Sequence, residues 1–94
     1  MNAALVISSR DNVATALEPL EPGTTVQIGG TAVAVRERIP QGHKLALRPI
    51  ASGEAVIKYG SAIGTACAAI EAGAHVHTHN LASGRGRGDL GASS

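Results

Sequence analysis

A spaced pattern that recurs three times constrains the fold of this 94-residue chain more than any other feature. Each copy reads Ala, an apolar residue, two further residues, Leu or Ile, two residues, Gly, two residues and Val. The copies occupy residues 16–26, 46–56 and 66–76. Because the spacing between copies is unequal, a regularly stacked solenoid is excluded, and the repeat is expected to build one compact unit.

The repeated positions predict a short strand, a turn and the start of the next strand. The central residues, Leu20, Ile50 and Ile70, are expected in the core. The glycines that follow take a turn conformation that a side chain would disfavour, and the valines open new strands. Prolines in the first two copies oppose a helix there, and the repeat outweighs the helical propensity of the Ala-rich residues 65–72. We therefore predict an all-β fold of several short strands joined by repeated turns.

The composition limits this fold to one small domain with a thin aliphatic core. Hydrophobic residues make up 44% of the chain, but Tyr59 is the only aromatic. A core of this kind often gains stability from a partner or from homo-oligomer formation. The lone Cys67 excludes an intrachain disulfide, and we expect it to pack as a small core residue. We predict one domain over residues 1–82 and a flexible Gly-, Arg- and Ser-rich tail over residues 83–94.

Charge and hydropathy exclude two classes of partner. The formal net charge is +1 and the basic residues are scattered, so the domain has no electrostatic footprint for nucleic acid. No apolar stretch approaches the ~18–20 residues that cross a membrane. Together with a single cysteine, these features predict a soluble, cytoplasmic protein.

Three histidines lie at the end of the third copy and just after it, in the stretch AHVHTHN from Ala74 to Asn80. In an extended strand His75, His77 and His79 would share one face, where imidazoles could bind a divalent metal. The alternative is a polar outer face of an edge strand. The other two copies form their strands without histidine, which favours a metal site at His77 and His79. His75 lies beside the turn and has Thr25 and Ala55 as counterparts, so its participation stays open.

A second polar pair, His43 and Lys44, follows a glycine and precedes an apolar strand. A lysine there can neutralise a substrate carboxylate, and a histidine can act as a base or a ligand. The alternative is a solvated loop.

With these residues in view, the chain resembles the small SAF-type domain of the altronate and galactarate dehydratase family, which is also found as the small subunit of sulfolactate sulfo-lyase. The matching stretches are DNVATAL from Asp11, IPQGHKLALRPIASGEAVIKYGSAIG from Ile39 and AGAHVHTHNL from Ala72. The combination of GHK, IKYG and VHTHN is far more specific than any one of them. The resemblance implies a β-clip fold, which agrees with the all-β interpretation of the repeat.

The resemblance also implies a metal-dependent lyase that eliminates water from a sugar acid to give a 2-keto-3-deoxy acid. The implied cofactor is a divalent metal, Fe²⁺ with Mn²⁺ as the alternative. His77 and His79 are then the expected metal ligands, His43 the expected base and Lys44 the group that holds the carboxylate. Asn80 is a substrate-binding candidate. Asn12 is another, although Asp11 and Asn12 could equally form an Asx turn.

Complete dehydratases of this family carry a much larger region after the small domain. The expected partners are therefore a large catalytic subunit and a sugar-acid or sulfolactate substrate, and the chain is not expected to be active alone. The alternative is a non-catalytic SAF-type module for binding or assembly. A third hypothesis is a metal-carrying site without a lyase partner.

Overall fold

Nine short strands form the part of the chain that the computed structural model describes, residues 3–83. This range contains no helix, which confirms the all-β class. The strands are β1 (Ala4–Leu5), β2 (Val13–Ala16), β3 (Thr25–Ile28), β4 (Thr31–Ala34), β5 (Lys44–Ala46), β6 (Ala55–Lys58), β7 (Ser61–Ala66), β8 (His75–Val76) and β9 (Leu81–Ser83). No helix in these residues is long and apolar enough to cross a membrane.

The strands form three antiparallel sheets. A four-stranded sheet has the order β1-β2-β5-β8, β3 and β4 form a hairpin, and β6, β7 and β9 form a three-stranded sheet. Strands β2 and β5 lie at the centre of the largest sheet and connect segments that are distant in the sequence. This sheet carries the candidate functional residues.

The repeat is confirmed, and the structure contains a fourth copy that the sequence analysis missed. Its central residue is Ile39, and it spans residues 35–45 with Val35, Arg36 and Leu45 where the other copies have Ala, an apolar residue and Val. These three replacements concealed it. We name the four copies by their central residues, which are at most 4% exposed: the Leu20, Ile39, Ile50 and Ile70 units.

The four units associate in two reciprocal pairs. Leu20 and Ile39 exchange both backbone hydrogen bonds, each N–H donating to the other carbonyl at 2.9 Å. Ile50 and Ile70 repeat this exchange at 2.8 Å in both directions. The pattern that looked irregular along the sequence is therefore regular in space, with the same bridge at the centre of each half.

The turn glycine of each unit adopts a conformation that side chains rarely take. The φ angles are +92° at Gly23, +85° at Gly42, +90° at Gly53 and +85° at Gly73. Gly73 is constrained a second time, because a Cβ atom there would overlap the carbonyl oxygen of Ala34. The predicted role of glycine in these turns is confirmed.

Two small aliphatic cores lie on opposite faces of β2 and β5. Alternation along these strands sends Ala14 and Leu45 into the first core and Val13 and Ala46 into the second. The first core contains Ala4, Ala14, Ala16, Leu20, Ile28, Val33, Val35, Ile39 and Leu45. The second contains Val13, Ala46, Ile50, Val56, Ala66, Ile70 and Val76.

The expectation that Cys67 packs in the core is wrong, since its thiol is exposed. Ala66 ends β7 with its side chain in the second core, and the next residue therefore points outward. The predicted tail from residue 83 falls, except for its first residue, outside the described residues.

Candidate metal centre

The histidine segment does not continue as one strand, contrary to the prediction. Strand β8 ends at Val76, and residues 77–80 form a turn closed by the Asn80 N–H, which donates to the His77 carbonyl at 3.1 Å. The Asn80 side chain stabilises this turn. Its Oδ1 accepts from the His77 N–H at 2.9 Å, and its Nδ2 donates to the His75 carbonyl at 2.8 Å.

Strand pairing brings His43 to this segment from a distant part of the sequence. In the β5–β8 ladder Lys44 lies opposite Val76 and Leu45 lies opposite His75. One step further along the same register, His43 faces His77. Their rings stack with centroids 4.2 Å apart and an interplanar angle of 17°. His43 Nδ1 also lies 2.9 Å from His75 Nε2.

Three half-buried histidines therefore form one cluster. His43, His75 and His77 each offer a ring nitrogen, and these nitrogens all lie within 4.8 Å of one another. His79 packs against the His75 ring at a centroid distance of 5.4 Å, tilted by 42°, but lies outside this set of three. The structure thus brings His77 together with His43 and His75 rather than with His79.

The cluster fits a divalent metal in donor type and spacing. Metal to imidazole nitrogen distances of about 2.0–2.2 Å place neighbouring ligand nitrogens roughly 3 Å apart. The separation of 2.9 Å between His43 Nδ1 and His75 Nε2 matches this value. The rings are stacked rather than splayed, so at least one would have to rotate to aim all three lone pairs at one ion.

The electrostatic surroundings favour neutral, ligating imidazoles. Burial lowers the pKa of His75, and the charges of His43, His77 and His79 lower it further, against an opposing effect of Glu37. Partial desolvation lowers the pKa of His77, and the charges of His43, Lys44 and His79 act in the same direction. Both rings therefore keep a free lone pair at neutral pH, as a metal requires.

Glu37 is a neighbour of the cluster that the sequence analysis missed. Its Oε2 accepts the His75 backbone N–H at 2.9 Å. Glu37 and Asn80 also line an open recess of about 330 Å³, whose lining includes none of the histidines. Glu37 lies 38 residues from His75 in the sequence, so nothing local connects the two. Only recognition of the fourth repeat unit, which contains Glu37, could have pointed to it.

Lys44 is adjacent to the cluster but not part of it. Alternation along β5 places its side chain on the same face as Ala46, opposite to that of Leu45. Its side chain is partly buried, and burial, followed by the positive charge of Lys58, lowers the pKa of Lys44. The structure therefore separates the two members of the predicted pair, His43 and Lys44, on the two faces of one strand.

Asn12 lies away from the histidines and is completely buried. Its Nδ2 donates to the Ala55 carbonyl at 2.9 Å, and its Oδ1 accepts from the Ile57 N–H at 2.7 Å. The amide thus holds β6 against the start of β2. Its suggested role in substrate binding stays a prediction, whereas its contacts are those of a structural residue.

Asp11 is 8% exposed and binds backbone rather than forming a forward Asx turn with Asn12. One oxygen accepts from the Gly60 N–H at 2.7 Å, and the other accepts from Ser8 and Ile7 at 3.1 and 3.2 Å. Burial alone would raise the pKa of this carboxyl, but the backbone hydrogen bonds outweigh it, and the pKa lies below its usual value of 3.8.

Sequence comparison places this fold and this cluster in a known context. A profile of the altronate/galactarate dehydratase SAF domain matches residues 2–84. The chain belongs to this family. The suspected resemblance is thereby confirmed over nearly the whole chain.

Two altronate dehydratases and a sulfo-lyase subunit are similar to it. The enzyme of Escherichia coli (strain K12) is 51% identical over 74 residues, which cover 79% of this chain and 15% of that protein. The enzyme of Bacillus subtilis (strain 168) is 36% identical over 80 residues, 85% of this chain and 16% of that protein. The (2R)-sulfolactate sulfo-lyase subunit alpha of Chromohalobacter salexigens is 51% identical over 47 residues, half of each chain. The chain thus spans about one sixth of the dehydratases it matches.

Proposed function

We propose that this chain is the SAF component of a metal-dependent lyase that eliminates water from a sugar acid and leaves a 2-keto-3-deoxy acid. It works with a large subunit that supplies the rest of the catalytic machinery. The sulfo-lyase relative suggests a second version of the reaction, in which a carbon–sulfur bond of sulfolactate is broken. We further propose the cytoplasm as its compartment, because the single cysteine suits a reducing environment.

The observation that carries this proposal is the cluster of His43, His75 and His77. Its ring nitrogens lie within 4.8 Å of one another on a domain whose family is named for dehydratases. We propose that these histidines hold Fe²⁺, with Mn²⁺ as the alternative. Such an ion would bind the substrate carboxylate and an adjacent hydroxyl, making the α-proton more acidic and the leaving group easier to expel.

In this proposal the neighbouring residues orient the histidines and contact the substrate. His75 is oriented from its backbone, where Glu37 binds the N–H and Asn80 binds the carbonyl. Asn80 also fixes the His77 backbone, and in this proposal its exposed edge contacts substrate. Lys44 attracts the substrate carboxylate from the adjacent face of β5.

His43 has two candidate roles that experiment can separate. It is either the third metal ligand or the base that accepts the α-proton, and its short contact with His75 is compatible with both. If His43 ligates the metal, His43→Gln lowers metal content. If it is the base, this variant keeps the metal and loses turnover with unchanged metal stoichiometry.

The test is a pull-down of the tagged chain from its native cell extract. The recovered material is assayed for metal content and for elimination from altronate, galactarate and (2R)-sulfolactate. We expect a large partner, iron and one of these activities. Recovery of the chain alone or as a homo-oligomer, without metal or activity, would instead support the non-catalytic binding or assembly module. Metal without a partner would support a metal-carrying site.

A matched pair of variants tests the ligand assignment. His77→Ala is expected to reduce metal content and activity of the reconstituted complex at least tenfold, the size typical for disturbing a metal site. His79→Ala, which lies outside the set of three, is expected to cause a smaller loss. Equal, complete loss in both variants would restore the original assignment of His77 and His79 as the ligand pair.

A further inference from the structure

The chain contains only two lysines, Lys44 and Lys58, and one aromatic residue, Tyr59. Lys58 and Tyr59 are neighbours at the end of β6, where Lys58 Nζ lies 4.9 Å from the centre of the Tyr59 ring. Lys44 is the half-buried first residue of β5.

Strand alternation explains why the two lysines share a surface. Lys44 is on the same face of β5 as Ala46, and Lys58 is on the same face of β6 as Val56. Ala46 and Val56 both belong to the second core. Both lysine side chains therefore leave their strands on the side of that core.

Neither lysine has a counterion among residues 3–83. The ion pairs of this range join Arg36 to Glu71 and Arg38 to Glu21. Thr15 lies opposite Lys44 in the β2–β5 ladder, and its buried Oγ1 atom has no hydrogen-bond partner in the same range. Two ammonium groups without counterions, one of them opposite this hydroxyl, are suited to an anion that accepts hydrogen bonds.

Tyr59 occupies a strained position that a smaller residue would fill more easily. With φ of +55°, it is the only non-glycine residue with positive φ in the described range, and it forms a two-residue turn with Gly60, φ +79°. The corresponding turn of the Leu20 unit is Gly29–Gly30, with φ of +56° and +84°. Tyr59 nevertheless remains 46% exposed, so core packing does not explain it. Strain at a turn that presents a polar ring points to a binding role.

We propose that Lys44, Lys58 and Tyr59 form a subsite for the acid group, carboxylate or sulfonate, of an organic acid. The ammonium groups donate charge-assisted hydrogen bonds, and the Tyr59 hydroxyl adds a neutral one. Lys44 begins β5 directly after His43, so the rest of the ligand can extend past the start of this strand toward the histidine cluster. The identity of the ligand rests on the proposed function, but the binding itself does not.

The composition of the chain makes this subsite directly observable. Because Tyr59 is the only aromatic residue, its fluorescence reports on the subsite alone. With ¹³C-labelled lysine, NMR gives one side-chain signal set for each of Lys44 and Lys58. The metal-free full chain is titrated with altronate and (2R)-sulfolactate, and with the uncharged alditol altritol as control. We expect saturable changes in both readouts with the two acids and none with altritol.

Variants then assign the binding to these residues. Lys44→Met and Lys58→Met are each expected to raise Kd about tenfold, as loss of one charge-assisted hydrogen bond implies. Arg38→Met removes the same charge from an exposed surface pair and is expected to leave Kd within about twofold. No response to either acid would overturn the subsite. So would a Kd in Arg38→Met that rises as much as in Lys58→Met.

The same titration separates this inference from the proposed function. Acid binding by a chain whose pull-down recovers neither a lyase partner nor metal would overturn the proposed function and support the subsite. Lyase activity that persists unchanged in Lys58→Met, with no acid response of the isolated chain, would overturn the subsite alone.

Discussion

The Ile50 and Ile70 units begin alike and end differently. In the Ile50 unit, Asn12 donates to the Ala55 carbonyl and accepts from the Ile57 N–H. In the Ile70 unit, Asn80 makes the same two bonds to His75 and His77, the corresponding residues. Asn12 lies just before the distant strand β2, whereas Asn80 belongs to the turn itself. Both side chains bind backbone groups that a neighbouring strand would otherwise bind.

After these shared asparagine contacts the two units follow different paths. The Ile50 unit continues into the hairpin of β6 and β7, whereas the Ile70 unit turns within residues 77–80. The short turn leaves His75 and His77 at the edge of the main sheet, where β5 supplies His43. The repeat therefore provides a fixed backbone, and function is carried by the residues just after it.

The turn glycines give the largest expected contrast between these units. Gly73→Ala places a Cβ atom on the Ala34 carbonyl at a φ of +85°. We therefore expect the free energy of unfolding to fall by about 3–5 kcal/mol, or the chain not to fold. Gly53→Ala meets open space at a φ of +90° and is expected to lose about 1–2 kcal/mol. Urea unfolding measures both. Equal losses would show that φ strain alone sets the effect.

The two asparagines should differ by burial. Asn12→Ala removes a completely buried amide and leaves two partly buried backbone groups without partners, so it is expected to lower the unfolding free energy by about 2–3 kcal/mol. Asn80→Ala affects a partly exposed local turn, so we expect about 1 kcal/mol together with weaker metal binding. Denaturant unfolding and metal titration of both variants distinguish these outcomes. If Asn12→Ala also weakened metal or substrate binding at full stability, Asn12 would have a role beyond structure.

Asp11 connects the Ile50 side, through the Gly60 N–H, to the N–H groups of Ile7 and Ser8 after β1. Because the folded pKa lies below 3.8, its stabilisation is complete above this pH and is lost as the pH falls through the folded pKa. Asp11→Asn should therefore be less stable than the wild type at neutral pH, with a gap that narrows in acid. Unfolding curves between pH 7 and pH 2 follow this gap. A constant gap would mean that the carboxylate charge contributes nothing.

The smallest expected effect is at the two-residue turn between β6 and β7, which contains Tyr59. Tyr59→Asn creates an Asn–Gly pair, which suits two positive φ angles, and is expected to raise the unfolding free energy by about 0.5–1 kcal/mol. Thermal unfolding tests this. A gain in stability accompanied by weaker acid binding would identify Tyr59 as a residue kept for function, while a loss of stability would contradict the strain argument.

Much of the fold follows from local patterning. Glycines that need positive φ and central apolar residues that need burial recur at fixed spacing, so three units and the all-β class were predictable. The fourth unit was missed because Val35, Arg36 and Leu45 differ from the residues at the matching positions. Cys67 was misplaced because an apolar run does not reveal where a strand ends.

The candidate site was only partly predictable, for a different reason. The sequence by itself determined the chemistry, by placing His75, His77 and His79 close together and His43 after a turn glycine. Only the tertiary structure decided that His43 joins His75 and His77, since this depends on the register of β5 against β8. It likewise left Asn12 buried against β6. Local pattern fixes which residues can turn or be buried, whereas pairing between distant strands determines which side chains meet.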